Sequence, residues 1–120
     1  MIVGIGVDVV DLARFERAIT RAPRLRDRLF AQSEQVGRPL SNRSLAGRFA
    51  AKEALLKCLP DDTGVSWHDM RVMADDHGNP FFEWSGSVER IADTWGIASF
   101  HLSISHDAGV ATAFVIAERP

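Results

Sequence analysis

Residues 45–59 read LAGRFAAKEALLKCL, and the spacing of apolar residues in this stretch decides the fold. Leu45, Phe49, Leu56 and Leu59 recur at helical intervals, and Ala46, Ala50, Ala51 and Ala54 fill the gaps. Nearly every side of such a helix can approach a neighbour, which places it inside the core. At about 100° per residue, Arg48 and Lys52 fall within the bulky apolar stripe, and Glu53 and Lys57 lie one turn apart along its margin. Charges on a buried helix need partners or an ionic ligand, because an unpaired buried charge is costly. The bland alternative is an internal Glu53–Lys57 salt bridge with snorkelling stems.

Outward from this helix the chain alternates short elements. Ile2–Val10 is rich in β-branched residues, interrupted by Gly4, Gly6 and Asp8, and is expected to be a strand buried on both faces. Asp11 can cap a helix whose apolar face is Leu12, Phe15, Ile19 and Ala22, with Pro23 kinking it or starting a second short helix through Phe30. Residues 33–43 are polar and are expected to form a loop. Met70–Ala74 and Pro80–Trp84 flank Asp76-His77-Gly78-Asn79 as a hairpin. Ser85 or Ser87 can cap a helix through Trp95 that Gly96 ends. Phe100, Leu102 and Ile104 then alternate with His101, Ser103 and Ser105, and a last apolar strand runs from Val110 to Ala117 after the turn at Asp107-Ala108-Gly109. The order β-ααα-ββ-α-ββ is that of a single α+β domain spanning residues 1–120.

Composition narrows the function. The 120 residues are 46% hydrophobic and 25% charged, as expected of one compact domain. A formal net charge of -2 argues against a general nucleic-acid binder. No membrane span, repeat or low-complexity segment stands out. The single cysteine, Cys58, has no internal partner, and the N-terminus lacks a basic region followed by an apolar run, so a cytoplasmic location is expected. Cys58 itself reads as a packing residue.

Asp8 and Glu53 are the informative pair. One carboxylate inside an apolar strand and another on an apolar helix could meet in the core, where two anions are stable together around a cation. Oxygen ligands point to Mg²⁺, which takes one or two carboxylates plus water and substrate phosphates; Arg48, Lys52 and Lys57 suit such a phosphate-rich ligand. GIGVD at residues 4–8, followed by the Glu53 of RFAAKEALLK, closely resembles the holo-[acyl carrier protein] synthases, the short 4′-phosphopantetheinyl transferases. Glu34, Gly78-x-Pro80 and the SxSH of Ser103–His106 extend the resemblance over the whole chain.

That resemblance implies transfer of the phosphopantetheine arm of coenzyme A to a serine of apo acyl carrier protein, with Mg²⁺ held by Asp8 and Glu53. It implies that Lys57 and His106 lie near the coenzyme A phosphates, and Arg48 is grouped with them as a coenzyme A contact. Glu53 and Lys57 are the catalytic candidates, with either Glu53 or a water as the base; Lys52 is either a ligand contact or a structural partner of a backbone carbonyl. The resemblance also implies a homotrimer with sites between neighbouring subunits, for which the final strand could supply an interface.

Arg14, Arg17, Arg21, Arg24 and Arg28 follow i, i+3, i+7, i+10, i+14, so a continuous helix would line them on one face. An acidic partner would relieve their mutual repulsion. The resemblance makes that partner the acyl carrier protein, docked on Arg14, Arg21, Arg24 and Arg28. Two alternatives remain at this level: a coenzyme A-binding module without catalysis, and a small RNA-binding domain, which would need exposed aromatics for stacking.

Overall fold

The computed structural model describes residues 1–36 and 40–120. Its elements run β1 (Ile2–Asp11), α1 (Leu12–Arg21), α2 (Leu25–Leu29), α3 (Asn42–Cys58), β2 (Met70–Ala74), β3 (Pro80–Trp84), α4 (Gly86–Trp95), β4 (Ser99–Asp107) and β5 (Val110–Glu118). Short 3₁₀ turns lie at Gln32–Gln35 and Trp67–Asp69. This is the α+β order read from the sequence. The polar segment 33–43 is only partly a loop, since the first 3₁₀ turn and the start of α3 fall within it; its residues 37–39 lie outside the described residues.

Antiparallel strands β1, β5 and β4 form one sheet in that order, and β2 with β3 forms a separate hairpin. The register pairs Asp8 with Ala113 and Ala113 with Ile104, and carries Val10 through Ala111 to His106. These residues share the face on which α3 lies. Small side chains line much of that face: Ala111, Ala113 and Ala117 are buried, and Gly4 and Gly6 sit directly under the helix backbone. A Cβ at Gly6 would stand 1.8 Å from the Ala54 carbonyl oxygen, and one at Gly4 would stand 1.9 Å from that of Cys58. The glycines of GIGVD are therefore required by the approach of strand to helix.

Helix α3 begins at Ser41, whose hydroxyl accepts the Ser44 N–H at 3.1 Å, and stops before Pro60. Leu45, Ala46, Ala50, Ala51, Ala54 and Leu55 are fully buried. Helix α1 is capped by Asp11, whose carboxylate accepts the Arg14 N–H at 2.8 Å. The cap expected at Ser85 or Ser87 is different: Asp69 accepts both the N–H and the hydroxyl of Ser87, at 2.9 and 2.6 Å. Those hydrogen bonds hold the Asp69 carboxyl below its ordinary range. The hairpin packs on the sheet edge through Phe82 and Trp84, both edge-on to Phe100.

The burial expected on both faces of β1 fails. Strand β1 is buried on the α3 side only; on the other, Ile5, Val7 and Val9 are 60%, 43% and 61% exposed, and Phe114 of β5 beside them is 52% exposed. Apolar character on both faces cannot distinguish a strand buried within one chain from one that leaves a face for a neighbouring molecule.

Candidate functional site

Strand parity and helix phase bring Asp8, Glu53 and Lys57 together. Asp8 points from β1 towards α3, where Glu53 and Lys57 stand one turn apart. Lys57 Nζ donates to Asp8 Oδ1 at 2.8 Å, so the ion pair joins strand to helix and is not the internal Glu53–Lys57 bridge. Burial raises the proton affinity of Glu53; the negative charge of Asp8 raises it further, and the ammonium of Lys57 opposes both. Lys57 holds its own proton more tightly through its hydrogen bond to Asp8.

Asp8 and Glu53 line an open cleft of about 590 Å³. Its floor is apolar, built from Phe15, Phe49 and Trp67, whose rings stack in a tilted row with centroids 5.6 and 5.8 Å apart. Arg14 of α1 and Arg28 of α2 also line it. Two carboxylates in one cleft fit a hard cation that completes its shell with water and phosphate oxygens, as Mg²⁺ does. Among the described residues no cluster of three His, Cys, Asp or Glu side chains forms, so a cation held by Asp8 and Glu53 would complete its shell from solvent or substrate.

The other cations expected to join this site are elsewhere. Arg48 lines a second cleft of about 410 Å³ with Ser44, Gly47, Gly78, Pro80, Ile104 and His106. Its guanidinium Nη1 donates to the carbonyls of Glu34 and Val72. His106 donates from Nε2 to the Arg43 carbonyl at 3.0 Å and packs against Gly47. Arg48 and His106 thus share a cleft on the β4 side of α3, and Asp8 and Glu53 share one on the β1 side, with Lys57 paired to Asp8. Lys52 reaches neither. It is fully buried, with its ammonium paired to Glu34 at 2.8 Å.

Pro23 breaks the arginine path. Helix α1 ends at Arg21, Arg24 precedes α2 and Arg28 lies on it, yet Arg14 and Arg28 meet again at the first cleft. Arg14, Arg17 and Arg21 line one shallow hollow, and Arg24 and Arg28 another. His101 is paired at the surface with Glu118 at 3.0 Å. Phe15 and Phe49 offer an RNA ligand no stacking platform, since Phe15 is buried and Phe49 is packed between Phe15 and Trp67. Sequence reasoning missed Trp67 and Leu25 as cleft walls; Trp67 sits in a 3₁₀ turn with no periodic signal around it.

Comparison with known proteins places the whole chain. The profile of the 4′-phosphopantetheinyl transferase superfamily matches residues 4–115. The holo-[acyl-carrier-protein] synthase of Leifsonia xyli is 58% identical over 119 residues, covering 99% of this chain and 98% of that protein. The Neisseria meningitidis holo-[acyl-carrier-protein] synthase structure aligns with a TM-score of 0.87 at 31% identity, over 99% of this chain and 100% of that one. The Helicobacter pylori synthase in complex with coenzyme A aligns with a TM-score of 0.83 at 34% identity, covering 95% of this chain and 99% of that one.

Proposed function

The chain belongs to the 4′-phosphopantetheinyl transferase superfamily, and from that premise we propose that it is a holo-[acyl carrier protein] synthase supporting fatty-acid synthesis. The serine hydroxyl of an apo acyl carrier protein attacks the β-phosphorus of coenzyme A. The new Ser–O–P bond forms as the bond to the adenosine 3′,5′-bisphosphate oxygen breaks, and the serine proton passes to a base. The observation that carries this reading is a cleft lined by Asp8 and Glu53 together with Arg14 and Arg28, with Lys57 paired to Asp8.

Asp8 and Glu53 would hold Mg²⁺, which when bound supplies Lewis-acid polarisation of the diphosphate. Lys57, half exposed beside Asp8, would turn its ammonium from Asp8 to the phosphates and stabilise charge on the leaving group. Glu53 or a water would take the serine proton. Arg14, Arg21, Arg24 and Arg28 would dock the acidic carrier and orient its serine, replacing a random collision with an aligned attack. Arg48 and His106 would contact coenzyme A from the second cleft.

Within one subunit α3 stands between the two clefts, so a coenzyme A molecule touching both sets of residues would draw them from different subunits. The uncovered apolar face of Ile5, Val7, Val9 and Phe114 supports a homotrimer with sites between neighbours. Among the described residues no helix is long and apolar enough to cross a membrane. Mass spectrometry of apo carrier protein incubated with coenzyme A and Mg²⁺ tests the reading. The carrier gains one phosphopantetheine group on its serine, and an unmodified carrier with folded enzyme refutes the assignment.

A further inference from the structure

Lys52 and Glu34 form a buried pair outside both clefts, with no part in the chemistry above. The Lys52 ammonium donates to the Leu29 carbonyl at 2.7 Å, to Glu34 Oε2 at 2.8 Å and to the Trp67 carbonyl at 3.1 Å. Those are all the donors an ammonium has. Glu34 Oε2 also accepts the Ala31 N–H at 2.7 Å, and Oε1 accepts the Val72 N–H at 2.9 Å. One charge pair therefore ties together the end of α2, the 3₁₀ turn after it, α3, and the segment entering β2.

Two of the tied residues, Leu29 and Trp67, are walls of the carboxylate cleft, beside Leu25 and Arg28. Helix α2 has five residues and no side-chain cap at its start, too short a helix to persist by itself. A cation at its last carbonyl opposes the negative end of the helix and fixes where that end lies. Apolar residues can often replace a buried ion pair without loss of stability, so bulk stabilisation is a poor explanation for this one. What apolar residues cannot supply is a directed bond to two particular carbonyls.

We propose that Lys52 and Glu34 are positioning residues that hold α2 and Trp67 in place, and with them the carrier-facing wall that presents Arg28. This rests on the carrier docking proposed above. Lys52 immediately precedes Glu53 on α3, so wall and carboxylate are set from one turn of helix.

The test uses the full chain with Lys52→Met and with Lys52→Met/Glu34→Gln. The single variant strands a buried carboxylate and can fail to fold; the double variant removes both charges. Native-state hydrogen exchange follows the α2-region amides of Arg28 and Phe30, which bond to the Arg24 and Arg26 carbonyls. In the double variant these lose protection while α3 and the sheet keep theirs. The carrier KM rises about tenfold and the coenzyme A KM stays within about twofold, a split that uniform destabilisation would not produce. Unchanged α2 protection overturns the proposal. Lost protection with an unchanged carrier KM also overturns it, provided that Arg28→Glu in the wild-type background raises that KM. If Arg28→Glu has no effect either, the docking reading has failed, and with it the functional role of the pair.

Discussion

Gly6→Ala tests how the strand-to-helix approach builds the site. An added Cβ would lie 1.8 Å from the Ala54 carbonyl oxygen and 2.9 Å from the Cys58 nitrogen, whereas ordinary contact begins at 3.4 Å. Both neighbours are backbone atoms of a buried helix, so no side chain can swing aside. Strand β1 must retreat by roughly 1.5 Å, and a gap of even 0.5–1 Å forfeits about a quarter to a half of the dispersion attraction across the interface. Overpacking typically costs about 1–3 kcal/mol; with packing loosened along the rest of the strand as well, a cost of about 3 kcal/mol is expected. That is a large fraction of the 5–15 kcal/mol, roughly, that holds a typical domain together. For a chain of this size it corresponds to a Tm lower by about 12 °C. Asp8 lies two residues on, on the same face, and moves with the strand, so transfer should fall by about 100-fold, as misplacements near 1 Å can cause. Gly47→Ala is the internal contrast. Its Cβ meets only side-chain atoms of His106 and Ile104, at 2.8 to 3.0 Å, and the helix gains about 1 kcal/mol of propensity. Differential scanning calorimetry and a carrier-modification assay read both variants. Gly6→Ala with a Tm within about 2 °C of wild type and turnover within about twofold would refute the close-approach argument.

Asp8→Asn and Glu53→Gln should each abolish most transfer at modest Mg²⁺ and leave the fold intact, since burial and the neighbouring charge already disfavour the Glu53 anion; near-normal turnover in either folded variant rejects the metal assignment. Arg14→Glu with Arg21→Glu should raise the carrier KM and leave coenzyme A binding alone, and wild-type carrier affinity should fall with salt, whose Debye length is about 8 Å at physiological strength. An unchanged carrier KM at low salt would make the arginine stripe a solvated surface. Val7→Glu places a charge on the uncovered sheet face and should shift sedimentation towards the monomer, with loss of transfer; an unaltered mass refutes that face as the interface. Asp69→Ala removes the group that caps α4 and should cost about 1 kcal/mol. Because folding lowers the pKa of Asp69, its contribution is complete above the ordinary value of 3.8 and is lost as pH falls through the folded value. Denaturant titrations should therefore show the gap between Asp69→Ala and wild type closing in acid, and a gap that persists at the lowest pH contradicts the cap.

Local chemistry made much of this protein legible from its sequence. The hairpin Met70–Ala74 and Pro80–Trp84, the Asp11 cap, the break at Pro23, the Gly96 stop and the central helix follow from turn residues and periodicity, which act over a few positions. The carboxylates Asp8 and Glu53 were conspicuous because each interrupts an apolar run. Partner choice was not legible. Lys57 had Glu53 one turn away, yet the docking of β1 on α3 gives it Asp8. Lys52 and Arg48 share the apolar stripe with no local sign of which is buried, and only the return of the chain through Glu34, Trp67 and Val72 separates a buried latch from a residue on an open cleft. The outer face of β1 shows the same limit. A run of Ile and Val reports that both sides prefer to leave water, and only the placement of α3 on one of them reveals that the other still lacks a cover.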